Sequence, residues 1–503
     1  MPLSAALSRH GRERPDACAA VIGGRAVSYG ALTSRASRLS RYISALPRVP
    51  RSQKALRDVP VFAVIMGNHP MITEFLAAAL AGECCIILLD PLLPSDQLGA
   101  MLDQLSPDIL FVAGQGTAPF EGRAFSVMRT EGDVDLDRLI ADIPTTPLIE
   151  ACDDAPFLVA FTSGTTSRPK AFLRQRHSWR TSFAAGRAHF ETGPNLHTLS
   201  PGPLAHGLSL YAFAETLEAG ATFYAPEKFN AAECAAVIAE NQLARLVCVP
   251  SVLDALCRHS EALRSLRQIT TAGAKLEDNL LRRIGGIAQQ ARVTEYYGAS
   301  ELGFVTTVSH DPGAAEDTPG SAGVGYPFPG VDITLRSCTD GAGTVWVRSA
   351  LMIDSYLWQD DTLGLQRDGD WGSVGDIGRI DEDGCLHLVS RAGGMVISGG
   401  NNIYPDEVMT CLQRHSAVKQ ACVVGIPDAA LGQTLVAVLE WEEEGPQPTL
   451  ADLRDHCRAQ LQKYKVPRRF LITSEWPMTS SGKIATGQLT HWIMQEDEQL
   501  APL

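Results

Sequence analysis

The segment Thr162-Ser163-Gly164-Thr165-Thr166-Ser167-Arg168-Pro169-Lys170 directly follows an apolar run, Phe157 to Phe161. Hydroxyls, exposed amides and one lysine in a loop after a strand suit a polyphosphate, because backbone N–H groups and a nearby cation replace its hydration. The loop is not of the kinase or GTPase kind, which needs glycine before the lysine and Ser or Thr after it. Here Pro169 supplies no N–H and Ala171 no hydroxyl. Asp376 follows Gly375 in an apolar β context, where one ionised carboxylate can accept from two vicinal hydroxyls such as those of a ribose. Arg391 carries a guanidinium able to reach the same ribose and the phosphates. Lysine is scarce, eight of 43 basic residues, and two of the eight, Lys170 and Lys483, fall in Gly/Ser/Thr-rich loops.

Such groups need a scaffold. Val59 to Met66, Cys85 to Leu89, Ile109 to Val112 and Arg245 to Val249 are apolar, β-branched runs, separated by stretches with helical spacing such as Met71 to Ala81. That alternation predicts parallel sheets covered by helices, an α/β fold. From Val324 to Val389, short strands punctuated by Gly and Asp predict an antiparallel β subdomain. Arg391-Ala392-Gly393-Gly394 marks a boundary, since two glycines permit backbone angles other residues resist. Downstream, Glu407 to Arg414, Val418 to Ile426, Leu435 to Trp441, Leu450 to Leu461 and Phe470 to Ile472 alternate helix and strand in a small domain.

The 503 residues allow more than one domain, and 45% hydrophobic with 20% charged residues is the balance of a globular enzyme. A formal charge of -14 repels a phosphate backbone, so nucleic acid is not an expected partner and any nucleotide must be held by local amides and placed cations. Twelve cysteines without C-x-x-C spacing read as core thiols of a reducing compartment. No stretch has the length and character of a signal peptide or membrane span, which predicts a cytoplasmic protein with no membrane partner. The Arg-over-Lys, Ala-rich composition fits a GC-rich bacterial genome and a biosynthetic or catabolic pathway.

Ser163-Gly164-Thr165-Thr166-x-x-Pro169-Lys170 resembles the phosphate loop of the adenylate-forming superfamily of acyl-CoA synthetases, peptide-synthetase adenylation domains and luciferases. Further segments are similar in the same order: Pro203-Leu204-Ala205-His206-Gly207, Ala272-Gly273-Ala274, Tyr297-Gly298-Ala299-Ser300-Glu301, Gly375-Asp376, Arg391, Ser398-Gly399-Gly400 through Glu407, Tyr464-Lys465-Val466-Pro467 and Ser481-Gly482-Lys483. The resemblance runs from about residue 14 to 486 and implies a large N-terminal domain, residues 1–391. This would hold two α/β sheet subdomains and a β-barrel-like subdomain, followed by a small mobile C-terminal α+β domain, residues 392–503.

The resemblance assigns nucleotide binding to Thr162, Ser163, Gly164, Thr165, Thr166, Lys170, Gly273, Ala274, Glu295, Tyr296, Tyr297, Gly298, Ser300, Asp376 and Arg391, with Tyr297 against adenine and Ser300 on the α-phosphate. Glu301 matches the magnesium carboxylate, and Mg²⁺ needs few carboxylates beside phosphates and water. Lys483, Glu301, Thr165 and His206 form the implied catalytic set, His206 as a gate between acyl pocket and thiol tunnel. Val249, Pro250, Ser251, Ala272, Gly273 and Gly303 line the implied acyl pocket with His206, while Ser398, Gly399 and Gly400 line the tunnel and Gly393 is the hinge. An aspartate that would pair with an amino acid's ammonium is missing near the position of His206, so an uncharged acyl tail is expected.

The implied activity is that of an AMP-forming acid–thiol ligase, an acyl-CoA synthetase that uses ATP, magnesium and coenzyme A and passes through an acyl-AMP. Glycines usual at the positions of Ser167, Ala171, Ser349 and Ser355 are replaced here, and the hinge is glycine where Asp or Lys is usual. An alternative is therefore thioesterification alone, from an acyl-AMP supplied by a separate adenylating enzyme. Two further alternatives are an adenylation enzyme loading a carrier protein and a non-catalytic nucleotide-binding protein. A homodimer is compatible with any of them.

Overall fold

Val61–Ile65, Cys85–Leu89 and Ile109–Val112 are strands buried at every position, as parallel strands covered on both faces must be. They pair in parallel register and belong to a seven-stranded sheet ordered Tyr356–Trp358, Lys170–Gln175, Pro156–Thr162, Cys85–Leu89, Val61–Ile65, Ile109–Val112, Ser126–Arg129. Lys170–Gln175 runs antiparallel to both of its neighbours. The structure, a computed structural model, describes residues 3–113, 120–130, 132–148, 151–162, 170–276, 278–310, 323–339, 341–358, 364–390, 394, 396–398, 401–428, 431–442, 445–479 and 483–503.

A second sheet of nine strands is ordered Tyr326–Pro327, Gly303–His310, Arg292–Ala299, Gln268–Ala272, Arg245–Cys248, Thr198–Leu199, Phe223–Ala225, Cys18–Ile22, Arg25–Ser28. Its central strands are parallel, and hairpins close both edges. One apolar core joins the two sheets, with Phe62, Phe111 and Leu88 from the first and Ala20, Phe223 and Val247 from the second. Helix Ile72–Ala81, ITEFLAAALA, lies in this core with all ten residues buried. Its single charge, Glu74, is fully buried and accepts from Arg25 at 2.5 Å and Arg35 at 3.2 Å. A buried carboxylate is tolerable only with such partners.

The chain separates into two compact units, Met1–Asp332 with Arg348–Asp361, and Ile333–Val347 with Thr362–Leu503. The predicted antiparallel β subdomain is a six-stranded sheet ordered Gln366–Asp368, Trp371–Ser373, Ala342–Arg348, Ile377–Ile380, Leu386–Ser390, with Asp332–Thr339 on the Ala342–Arg348 strand. It falls largely within the second unit, and the boundary residues Arg391 to Gly393 lie outside the described residues. The remainder of that unit is α+β. Gly432–Trp441 pairs antiparallel with Val418–Asp428 and parallel with Arg469–Ile472. Pro405–Gln413 and Leu450–Gln460 pack through Val408, Leu412 and Leu453 in one apolar cluster, and Thr486–Gln495 through Leu489 and Ile493 in another. All twelve cysteines are free. No helix among the described residues is long and apolar enough to cross a membrane.

Glu74→Ala should remove the buried carboxylate that Arg25 and Arg35 share and lower unfolding stability by about 3 kcal/mol. Urea unfolding measures it, and a change within about 0.5 kcal/mol would show that the pair is dispensable.

Candidate active site

In α/β sheets the carboxyl ends of parallel strands carry the ligand-binding loops, and the expected site residues of the first unit leave the strands there. Val249 caps helix Pro250–Leu256 after strand Arg245–Cys248. Gly273, with φ +89°, follows strand Gln268–Ala272, and Ser300 and Glu301 form the turn after strand Arg292–Ala299. That turn is tight. Gly303 has φ +77°, and a Cβ on it would meet Leu351 Cβ at 2.8 Å and Leu351 O at 3.1 Å. A Cβ on Gly298 would lie 2.5 Å from Gly303 O. Both glycines are therefore steric requirements of the hairpin that presents Glu301.

Glu301 is 9% exposed. Its Oε1 accepts from the Tyr356 hydroxyl at 2.6 Å, and its Oε2 takes no hydrogen bond among the described residues. The Lys170 ammonium lies 5.9 Å from the centre of the Tyr356 ring. Tyr356 thus links one carboxylate and one ammonium at the base of the Ser/Thr-rich loop, joining two sequence-distant candidates by a cation–π contact and a charge-assisted hydrogen bond. A carboxylate linked through Tyr356 to a cation, with one oxygen left open to a further partner, fits a magnesium–polyphosphate group.

Arg174, on the Lys170 face of the same strand, donates to Ser300 O at 2.5 Å and to Leu351 O. Burial pulls its guanidinium down to about 10, opposed by the charge of Glu301. Ala171 points the other way. It is fully buried, in an apolar cluster with Phe161 and Trp358 packed against it. Its methyl group therefore adds nothing to the face that carries Lys170. Thr162 pairs with Lys170 across the hairpin, and Ser163, Gly164, Thr165 and Thr166 lie outside the described residues, as does Ser167.

Strand alternation separates two neighbouring candidates. Glu295 and Tyr297 share the face of buried Val293, where Glu295 accepts from the Leu276 N–H at 3.3 Å. Tyr296 faces the opposite side and packs edge-on to Phe304 with centroids 4.7 Å apart. The expectation that Tyr296 shares a nucleotide with Tyr297 meets this geometry: the two rings lie on opposite faces of one strand.

His206 caps helix Gly207–Ala219, and its Nε2 lies 3.1 Å from Asp90 Oδ2. Asp90 ends strand Cys85–Leu89 in the other sheet. Asn68, just past strand Val61–Ile65, donates to Gly202 O at 3.1 Å and accepts from the Leu204 N–H at 2.7 Å. The two sheets therefore meet at the His206 loop. Arg174, Tyr356, Asp90 and Asn68 all escaped the sequence reading. The last three carry no spacing signal, while Arg174 could have been found as the i+4 partner of Lys170 on one strand face.

In the second unit, Gly375 has φ +84°, and its N–H donates to Ser373 Oγ at 3.0 Å, shaping the turn that carries the buried Asp376. Lys483 is exposed, in a turn closed by the Thr479 N–H to Lys483 O at 2.7 Å. Ser398 ends a strand paired with Asn401–Ile403, and Gly399 and Gly400 lie outside the described residues, like Arg391 and Gly393.

A carboxylate, an ammonium and a carboxylate-paired histidine at the carboxyl ends of two joined parallel sheets, with a separate α+β unit, define an adenylate-forming enzyme of the acid–thiol ligase class. The chain belongs to the AMP-binding enzyme family, which matches residues 7–357, while the AMP-binding enzyme C-terminal domain matches residues 407–483. It is 30% identical over 440 residues, 86% of this chain and 88% of that protein, to the uncharacterized acyl-CoA ligase YhfT of Bacillus subtilis (strain 168). Its fold is that of ATP-bound MatB from Rhodopseudomonas palustris, TM-score 0.82 at 20% identity over 97% of this chain and 98% of that one. It is equally that of o-succinylbenzoate coenzyme A synthetase (MenE) from Bacillus subtilis in complex with ATP and magnesium ion, TM-score 0.79 at 22% identity over 96% and 98%.

Gly303→Ala should cost about 2 kcal/mol from its positive φ and the Leu351 contact, lowering the melting temperature. An unchanged melting temperature would show that the hairpin opens without cost.

Proposed function

We propose that this protein is a complete acyl-CoA ligase acting on a carboxylic acid with an uncharged tail. The observation that supports the reading is the Lys170–Tyr356–Glu301 cluster, a cation and a hydroxyl-oriented carboxylate linked through one phenol. In the first half-reaction a carboxylate oxygen attacks the α-phosphorus of ATP, the bond to pyrophosphate breaks, and acyl-AMP remains. Lys170 steadies the phosphates, Tyr297 offers its ring to adenine, and Asp376 with Arg391 binds the ribose. Glu301 would hold magnesium, which neutralises charge on the phosphate oxygens. Lys483 supplies a point charge for the attacking carboxylate and the α-phosphate.

In the second half-reaction the thiol sulfur of coenzyme A attacks the acyl carbon, AMP leaves, and the thiol proton passes to solvent. His206, oriented by Asp90, stands at the gate, and Ser398, Gly399 and Gly400 line the path of the thiol. Protein-wide, Gly393 is the hinge between poses serving the two steps. The inward-facing methyl of Ala171 supports an intact first half-reaction over thioesterification alone.

The test supplies coenzyme A with either acid and MgATP or synthetic acyl-AMP, following pyrophosphate and acyl-CoA separately. Both arms should yield acyl-CoA. Lys483→Ala should lower pyrophosphate release about 10²–10³-fold while leaving acyl-CoA formation from acyl-AMP within a few-fold. Acyl-CoA from the acyl-AMP arm alone in the wild-type protein would overturn the complete-ligase reading.

A further inference from the structure

Beneath His206 the helix Gly207–Ala219 presents Tyr211 and then Glu215 at successive turns toward the strand face that carries Tyr296. Tyr211 lies edge-on to Phe304 with centroids 5.1 Å apart, and its hydroxyl is 2.6 Å from Ser182 Oγ. Phe304 stacks on Phe328 at 4.7 Å and meets Tyr296 at the same separation. Ala272 is the register partner of Tyr296, so both point to this face. Of the expected acyl-pocket residues, Ala272 shares this strand face, Gly303 precedes Phe304 in the chain, and His206 precedes the helix that carries Tyr211.

The floor is polar. Arg245 donates to Glu215 Oε2 at 2.6 Å, each side chain 3% exposed. Arg245 Nε and Glu215 Oε1 are buried without a partner. The Tyr296 hydroxyl likewise takes no hydrogen bond among the described residues. Both Tyr211 and Tyr296 keep accessible surface, yet burial holds both phenols well above their ordinary value. The half-buried rings thus leave room between helix Gly207–Ala219 and this strand face. Arg245 lies four residues below Val249, itself level with Ala272, a depth of about 13 Å. Nine residues of helix from His206 to Glu215 give about the same, 13.5 Å. The two tyrosines occupy part of that depth.

Resting on the ligase reading above, we infer that the acyl pocket selects a compact aryl carboxylic acid bearing a hydroxyl remote from its carboxylate, with Tyr296 and Tyr211 as the specificity-determining residues. Flat aromatic walls fit a planar ring, and the unpartnered Tyr296 hydroxyl offers a hydrogen bond to the substituent. A long alkyl chain would meet two rings and a buried ion pair.

The protein is offered 4-hydroxybenzoate, benzoate, 4-hydroxycinnamate, octanoate and palmitate, and acid-dependent pyrophosphate release is measured beside acid binding by calorimetry, which needs no turnover. Hydroxyaryl acids should exceed both alkanoates by at least about tenfold in kcat/KM. Tyr296→Phe, which deletes one oxygen and preserves the packing, should erase the preference for 4-hydroxybenzoate over benzoate. Tyr296→Ala should raise activity on octanoate. Preference for octanoate or palmitate in the wild-type protein, or an unchanged hydroxyl preference in Tyr296→Phe, overturns the inference and leaves the ligase reading standing. Binding of hydroxyaryl acids without acyl transfer in either half-reaction would keep the pocket and sink the ligase reading.

Discussion

One guanidinium group ties the two sheets together where the chemistry is expected. Arg174 belongs to the seven-stranded sheet, and the carbonyls it serves belong to the Ser300 turn and to Leu351. Burying a guanidinium is costly, and burying a carbonyl without a donor is costly too, so each component is tolerable only in the presence of the others. The same strand carries Lys170 and the same turn carries Glu301. The distance between cation and carboxylate is therefore fixed by a contact that takes no part in the chemistry.

The second tie works on the other side of the site. Asn68 and Asp90 leave adjacent strands of one sheet and grip the loop that starts a helix on the other. A loop carrying His206 would otherwise be free to choose among turn conformations, and its histidine among rotamers. Held at 3.1 Å by a carboxylate, the imidazole has a defined direction. The candidate site lies along a seam, with groups contributed from both sheets.

Much of this was legible in the sequence. The fully apolar runs at Val61, Cys85 and Ile109 could only be doubly covered strands, and the motifs fell at strand ends because glycine and polar residues interrupt those runs there. What escaped were contacts that have no period. Tyr356 and Asp90 are single residues brought to Glu301 and His206 by pairing between sequence-distant segments, and nothing in their neighbours announces it. Tyr296 and Tyr297 are adjacent in one motif, and only the pleat reveals that their rings are turned to opposite faces. Ala171 is the same lesson in reverse, a substitution near the phosphate loop whose methyl is turned into the core.

Helix Ile72–Ala81 carries a consequence for how the first unit comes into being. With every residue buried, it has no solvent face, and the cluster around it draws members from both sheets. Neither sheet can cover its inner surface alone, so the halves cannot mature one after the other as independent folding units. Formation of the seam and formation of the core are one cooperative event. A half-assembled first unit would leave the apolar residues of this shared cluster facing water.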